Sequence, residues 1–231
     1  MAENGKRQWV NYSFYKVDPQ WRRLPEEEKE SGRNEFLEVV EGYSKKIMVF
    51  PYTNFGYRPD CDFMIWRVSY EIEDFERMTK DMLNAGFGKY LTTPWSFLSM
   101  TKHSVYVSDH VHEGQEGTRL RVIPSQSKFI FVYPFTKTMD WYMLPFDKRR
   151  RMMQEHIELG HEFPNVKINT SYSFGIDDQE FIVAFETDDP ADFLDLVMKM
   201  REQDARPYTE KDTPIFTCIK KTAKEMIDLV S

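Results

Sequence analysis

Hydrophobic and polar residues alternate over several short stretches of the chain and recur at helical spacing over others. Alternation is typical of half-buried strands, and a spacing of three to four residues is typical of amphipathic helices. In the first half, we predict strands at 9–17, 47–52, 62–70 and 96–107 and helices at 26–46 and 74–84. The predicted element order is therefore β-α-β-β-α-β.

The second half of the chain repeats this order. We predict a strand at 128–137, a helix at 145–163, strands at 166–174 and 180–186, a helix at 191–203 and a strand at 214–220. The residues themselves also repeat. A shift of 118 positions aligns DFMIWRVSYEIEDF, which starts at Asp62, with EFIVAFETDDPADF, which starts at Glu180, without a gap. We therefore expect two related halves.

This order of elements predicts the fold class. A β-α-β-β-α-β unit is ferredoxin-like, and its helices cover one face of the sheet, so the other face needs a partner. Two such sheets packed together form a dimeric α+β barrel. We therefore predict an α+β fold of two ferredoxin-like repeats, with an N-terminal repeat at 1–112, a connector at 113–127 and a C-terminal, ligand-binding repeat at 128–231.

Charge and composition narrow the classes of function. The net charge is −7 and acidic and basic residues are interspersed, which argues against a nucleic-acid partner. No stretch has the roughly 18 to 20 apolar residues that cross a bilayer, and the N-terminus lacks the apolar core of a signal peptide. We therefore expect a cytoplasmic protein with no membrane partner. The two cysteines, Cys61 and Cys218, have no CxxC spacing, so neither a disulfide framework nor a zinc site is predicted.

Aromatic residues make up 15% of the chain, and 13 methionines accompany them. Such side chains fill protein cores, and they also suit the walls of a pocket for a large, flat, apolar ligand.

One histidine lies in the middle of an apolar helix face. At 100° per residue, His156 shares a face with apolar residues, whereas His161 lies on the opposite face. One interpretation of His156 is a core histidine with satisfied hydrogen bonds. The other is an axial ligand to haem iron, because neutral imidazole suits iron and Gly160, one turn further on, would let a flat macrocycle approach. The apolar residues on this face are Met152, Met153, Leu159 and Phe163.

The strand KFIFVYPFTK places a phenol and an ammonium on one aromatic face. Tyr133 and Lys137 share that face with Phe129, Phe131 and Phe135. One interpretation is an ordinary sheet face whose lysine reaches solvent. The other is a pocket wall in which Tyr133 does redox chemistry and Lys137 pairs with a carboxylate.

Several other residues are weaker candidates for a functional site. Arg119 and Arg121, from TRLR, are able to hold carboxylates through bidentate contacts, although exposed strand arginines are commoner. His110 and His112, with His103 nearby, have no acidic or cysteine partner that completes a recognisable metal site. The sequence contains no G-x-S-x-G, P-loop or G-x-G-x-x-G motif, which argues against hydrolase and nucleotide chemistry.

Three stretches resemble one known family. They are YPFTKTMDWYMLPFDKRRRMMQEH from Tyr133, YSFGIDDQEFIVAFETDDPADF from Tyr172 and MREQDARPYTEKDTPIFT from Met200. All three closely resemble the coproheme decarboxylase branch of the chlorite dismutase-like family. The likeness covers the second half in detail, and the first half matches mainly as a degenerate repeat. The family's fold is the two-repeat barrel predicted above, assembled as a homopentamer.

The resemblance implies roles for five residues. His156 matches the proximal iron ligand, and Tyr133 matches the tyrosine that becomes a radical during decarboxylation. Lys137 and Arg119 match residues that hold propionates. Asp204 falls where relatives place a carboxylate near the proximal histidine, which would fix the tautomer of the imidazole.

The chain also departs from the family's patterns. Ile168 stands where chlorite dismutases carry a distal arginine, which argues against chlorite turnover. Some decarboxylases have a distal histidine earlier in the chain, and the count here lands on Glu116. The group that activates peroxide is therefore not identified from the sequence.

Two functions follow from the resemblance. The first is an enzyme that uses hydrogen peroxide to decarboxylate two propionates of iron coproporphyrin III, or coproheme, giving haem b and carbon dioxide. The protein then supplies orientation, propionate contacts and the tyrosine. The alternative is a haem-binding protein, for transfer or sensing, that keeps the pocket without efficient turnover.

Overall fold

The computed structural model describes residues 5–106 and 120–231, which form two compact units. The first unit comprises Met1–Leu98 and Cys218–Ser231, and the second comprises Ser99–Thr217. Helices and antiparallel strands occur in both units, which confirms the predicted α+β class. Within the described ranges, none of the helices has both the length and the apolar character of a membrane span.

The first unit has a split β-α-β arrangement. Its strands lie in the order β4-β1-β3-β2, and β1 pairs antiparallel with β3 so that Trp9 lies opposite Ser69. Strand β3 is a nearly continuous apolar run in which every residue is buried, and β1 is also almost completely buried. The elements are β1 (Trp9–Val17), α1 (Glu26–Ser44), β2 (Met48–Thr53), β3 (Phe63–Ser69), α2 (Glu73–Asn84) and β4 (Leu91–Met100), whose last two residues belong to the second unit.

The second unit repeats this topology. Its strands lie in the order β6-β7-β5-β9, and the short β8 pairs with the end of β5. Both units are therefore ferredoxin-like, as predicted. The elements are β5 (Phe129–Lys137), α3 (Met139–Met143), α4 (Phe146–His161), β6 (Lys167–Tyr172), β7 (Phe181–Thr187), α5 (Pro190–Met200), β8 (Thr209–Lys211) and β9 (Phe216–Lys220), of which the last three residues belong to the first unit.

The repeat extends to individual hydrogen bonds. In the first unit, the Asp62 carboxylate accepts from the backbone N–H of Val17 at 2.9 Å. In the second unit, the Glu180 carboxylate accepts from the backbone N–H of Lys137 at 2.7 Å. Asp62 and Glu180 are the first residues of the two aligned segments, so the sequence repeat preserves a carboxylate that anchors the end of the first strand of each unit.

The C-terminal helix α6 (Ala223–Val230) was not predicted from the sequence. Thr222 and Glu225 form a capping box at its start, and Met226, Ile227 and Val230 join the apolar core of the first unit. Residues 218–231 therefore pack with the first unit, whereas we predicted that they belong to the second repeat.

Strand β4 begins and ends earlier than the predicted strand at 96–107. Its first six residues are mostly exposed, so no hydrophobic alternation marks them. Elements α3 and β8 were also not predicted, because five and three residues are too few to show a period.

A buried arginine fills the interior of the first unit between its sheet and α2. Arg67 is only 3% exposed, and its five N–H groups donate to Asn11, Ser13, Thr79 and the carbonyl of Phe75. Because all five donors of Arg67 have acceptors within the protein, its guanidinium offers no free donor to a ligand. The aligned residue in the second unit is Phe185.

Candidate functional site

The helix-facing side of β5 belongs to an apolar cluster in the second unit. Phe131 stacks on Phe193 of α5 with ring centroids 4.0 Å apart. Tyr133, Leu159 of α4 and Ile168 of β6 lie in the same cluster. The odd-numbered residues of β5 therefore face α4 and α5, as the alternation predicts.

Tyr133 lies inside this cluster and is 9% exposed. Its ring stacks on Phe185 with the centroids 5.9 Å apart. Burial, with a smaller contribution from the Asp212 carboxylate, raises the pKa of the Tyr133 phenol well above its usual range, although Arg201 and Arg206 oppose the shift. The phenol therefore keeps its proton at physiological pH.

Lys137 ends β5 with its ammonium group among aromatic rings. Nζ lies 4.5 Å from the centroid of Trp141 and donates to the carbonyl of Ala205 at 3.2 Å. Burial lowers the pKa of Lys137 to about 8, with a further contribution from Arg206, while Glu180 opposes the shift. Among the described residues, no carboxylate forms an ion pair with this ammonium, so its charge is available to an acidic ligand.

The backbone of Lys137 is held from the opposite side of the strand end. The Glu180 oxygen that accepts from its N–H also accepts from the hydroxyl of Tyr142 at 2.6 Å. Burial and this hydrogen bond to Glu180 raise the pKa of the Tyr142 phenol well above its usual range. One carboxylate thereby connects β5 with α3, the helix that carries Trp141 beneath the ammonium.

His156 lies on α4, half-buried, with Nδ1 2.9 Å from Oε1 of Gln203. Burial lowers the pKa of His156; the hydrogen bond to Gln203 opposes the shift and the positive charge of Lys137 adds to it. The imidazole is therefore neutral at physiological pH. His161 is exposed, as predicted from the helical spacing.

Two arginines and one carboxylate brace the segment that follows α5. Arg201 forms an ion pair with Asp212, and Arg206 does so at 2.7 Å. Burial alone would raise the pKa of Asp212, but the hydrogen bonds and charges of the two arginines together lower it below its usual range. Gln203 and Ala205, which contact His156 and Lys137, lie between these arginines.

Of the predicted site residues, four lie in the second unit: Tyr133, Lys137, His156 and Ile168. Asp204, however, is not hydrogen-bonded to His156. Asp204 is exposed, and its neighbour Gln203 occupies Nδ1 of the imidazole instead. The partner predicted for the histidine is therefore corrected by one position. The physical reason is that α5 ends at Met200 rather than 203, and the turn after it points the amide, not the carboxylate, at α4.

Other predicted residues lie outside the described ranges: Arg119, Glu116, His110 and His112. His103 is described and exposed. Sequence reasoning also missed Gln203, Arg206 and Tyr142. All three lie in stretches that carry the family resemblance, Tyr142 in the stretch from Tyr133 and the other two in the stretch from Met200, but no periodicity marked them.

These residues fit an iron porphyrin. Over residues 5–106 and 120–231, no group of three histidine, cysteine or acidic residues is arranged to hold a bare metal ion. A porphyrin supplies the in-plane nitrogens itself and needs only one axial imidazole. Nδ1 of His156 is occupied while Nε2 has no hydrogen bond within the described part of the chain. A methyl group placed on Gly160 would meet no atom within 4 Å, so the α4 surface there is open.

The chain is similar in sequence to proteins of one known family. Residues 29–221 match the family described as Chlorite dismutase. The coproheme decarboxylase of Mycolicibacterium smegmatis is 30% identical over 173 residues, which cover 74% of this chain and 72% of the relative. The chlorite dismutase of Ideonella dechloratans is 26% identical over 205 residues, covering 87% of this chain and 71% of the relative.

Solved structures show the same fold. A mutant chlorite dismutase from Candidatus Nitrospira defluvii superposes with a TM-score of 0.87 and 22% identity, covering 96% of this chain and 95% of that one. A protein described as a novel heme-binding protein from Thermus thermophilus superposes with a TM-score of 0.84 and 21% identity, covering 96% and 94% of the two chains.

Proposed function

The chain belongs to the chlorite dismutase family, and from this premise we propose that it is a coproheme decarboxylase. It binds iron coproporphyrin III and uses hydrogen peroxide to convert two propionates to vinyl groups, giving haem b. One observation carries the proposal: a neutral imidazole, a buried protonated phenol and an ammonium without a carboxylate partner lie in the same ferredoxin-like unit. The 30% identical coproheme decarboxylase supports the same reaction.

His156 and Lys137 bind and orient the substrate. Nε2 of His156 donates its lone pair to the iron, and the ammonium of Lys137 takes a propionate in place of the Ala205 carbonyl. Arg206 adds positive charge nearby, since it disfavours the protonated form of Lys137. The iron of the bound substrate supplies the redox chemistry with peroxide.

Tyr133 carries hydrogen between the substrate and the oxidant. Each propionate anion becomes a vinyl group by losing carbon dioxide, one proton and two electrons. These two electrons, with that proton and one more from solvent, reduce one hydrogen peroxide to two waters. Neither an ammonium nor a carboxylate removes hydrogen from an unactivated carbon, whereas a tyrosyl radical does. Because the raised pKa keeps the Tyr133 phenol protonated, its oxidation releases a proton together with the electron.

Ile168 supports decarboxylation over chlorite turnover. It lies opposite Phe185 in the β6–β7 register and packs in the cluster that contains Tyr133. In chlorite dismutases a distal arginine would supply a positive charge to chlorite at this position. The apolar side chain of Ile168 offers none. We expect no oxygen evolution when chlorite is added to the haem-loaded protein.

Stepwise peroxide titration of the ferric coproheme complex tests the proposed function. We expect mass spectrometry of the extracted porphyrin to show loss of first one and then two carboxyl groups, with haem b as the product. Bleaching of the porphyrin without decarboxylation would contradict the proposal. It would instead favour a haem-binding protein, a function that the fold similarity to the Thermus thermophilus protein also suggests.

The lowered pKa of Lys137 predicts the pH dependence of ligand binding. Only the protonated amine attracts a carboxylate, and it loses its proton as the pH rises through about 8. The dissociation constant of metal-free coproporphyrin III, followed by fluorescence, should therefore stay constant below this pH and rise by up to roughly tenfold per pH unit above it. The metal-free ligand avoids hydroxide binding to iron.

Two variants check this assignment. Lys137→Met keeps the apolar stem and removes the charge, so binding should weaken below pH 8 and the break should disappear. Lys128→Met changes an exposed lysine on the residue before β5 and should retain the break. A break that persists in Lys137→Met would remove Lys137 from propionate binding.

A further inference from the structure

Gln203 contacts α4 through both ends of its side-chain amide. Nε2 donates to the backbone carbonyl of Glu155 at 3.1 Å, and Oε1 lies 2.9 Å from Nδ1 of His156. The two partners are adjacent residues of one helix. The amide therefore bridges the turn after α5 to a fixed point on α4.

This double contact determines which way the amide faces. A backbone carbonyl only accepts hydrogen bonds, so the atom that faces Glu155 must be the NH₂ group. The carbonyl oxygen then faces His156, and an amide oxygen also only accepts. Nδ1 of His156 must therefore carry a proton, which leaves the lone pair of the neutral ring on Nε2.

The turn that carries Gln203 is fixed in place by charged groups. Arg201 and Arg206 lie on either side of it along the chain, and both bind the carboxylate of Asp212, which follows β8. Between them, Ala205 is buried and its carbonyl accepts from Lys137. The position of the amide is therefore set by contacts that do not involve His156.

We propose that Gln203 is a positioning residue that locks His156 in the Nδ1–H tautomer and, being a neutral acceptor, keeps the ring from gaining imidazolate character. This fixed tautomer is expected of the protein even when no ligand is bound. Its consequence for iron rests on the proposed function, because Nε2 then presents a lone pair to a metal. A carboxylate at this position would pull the Nδ1 proton more strongly and make the ring a more electron-rich ligand.

Nitrogen-15 NMR of the protein without porphyrin tests the lock. Long-range proton–nitrogen correlations distinguish a protonated from an unprotonated ring nitrogen, and we expect His156 to show protonated Nδ1 and unprotonated Nε2. In Gln203→Leu, the Nδ1–H tautomer should lose its dominance and the two nitrogen shifts should move towards each other. Gln154→Leu is the matched control, since Gln154 is an exposed glutamine on α4 that bonds to Glu158, and its spectrum should match wild type.

A second measurement tests the neutral acceptor in the loaded protein. The Gln203→Glu variant should lower the reduction potential of bound coproheme and raise the frequency of its iron–histidine stretch relative to wild type. A wild-type ring with protonated Nε2, or a Gln203→Leu spectrum identical to wild type, would overturn the lock. If the tautomer is as expected but coproheme shows no histidine ligation, the proposed function fails while the lock stands. If ligation occurs but Gln203→Glu leaves the potential unchanged, the neutral-acceptor role is wrong.

Discussion

The His156→Ala variant should lose histidine ligation of ferric coproheme and bind it at least about tenfold more weakly, a loss of about 1.4 kcal/mol. His156 is the imidazole on α4 whose Nδ1 is already occupied, so Nε2 is its free coordinating atom. The Lys137 ammonium and the apolar β5 face remain in the variant. It should therefore still bind porphyrin, although more weakly than wild type. Absorption and resonance Raman spectra measure the ligation.

Added imidazole should restore a nitrogen-ligated spectrum in this variant, because the deleted side chain leaves room for it beside Gln203. His161→Ala is the matched control: it removes the exposed histidine one turn and a residue further along the same helix and should keep the wild-type spectrum. A five-coordinate histidine spectrum that survives in His156→Ala would move the axial ligand to another residue.

The Tyr133→Phe variant should bind coproheme nearly as well as wild type and decarboxylate it at least about a hundredfold more slowly, or about 2.7 kcal/mol in barrier. The ring stacks on Phe185, and phenylalanine keeps that contact. Within the described residues, no hydrogen bond to the Tyr133 hydroxyl is lost, so folding stability should change by less than about 1 kcal/mol. What disappears is the hydrogen that the phenol exchanges with the substrate.

Single-turnover reactions with peroxide, followed by product mass, measure this loss. Tyr90→Phe is the control, because Tyr90 packs against the core of the first unit and is not a member of the cluster that contains Tyr133. Formation of haem b by Tyr133→Phe at the wild-type rate would show that another group carries the hydrogen.

Long periodic segments allowed the frame of the site to be predicted from the sequence. The alternation in KFIFVYPFTK placed Tyr133 and Lys137 on one face of β5, and the helical period placed His156 inward and His161 outward on α4. Both elements agree with the structure within two residues at each end. Side-chain direction follows from strand and helix geometry once the period is known.

The partners of these side chains could not be predicted in the same way. Gln203 lies in an irregular turn, and a shift of one residue there replaces a carboxylate with an amide beside His156. The ion pair between Arg206 and Asp212 joins a turn to the residue after a three-residue strand. Neither segment has a period, so only the tertiary structure defines which groups meet.

The carboxylate that anchors the end of each first strand does so through the backbone N–H of the last strand residue, whatever side chain that residue carries. In one unit the residue so anchored is Val17, and in the other it is Lys137. The anchor therefore tolerates any residue there except proline, which has no N–H. An ammonium at this position in one unit therefore leaves the anchoring hydrogen bond intact, so the side chain that faces a ligand is independent of the contact that holds the strand end.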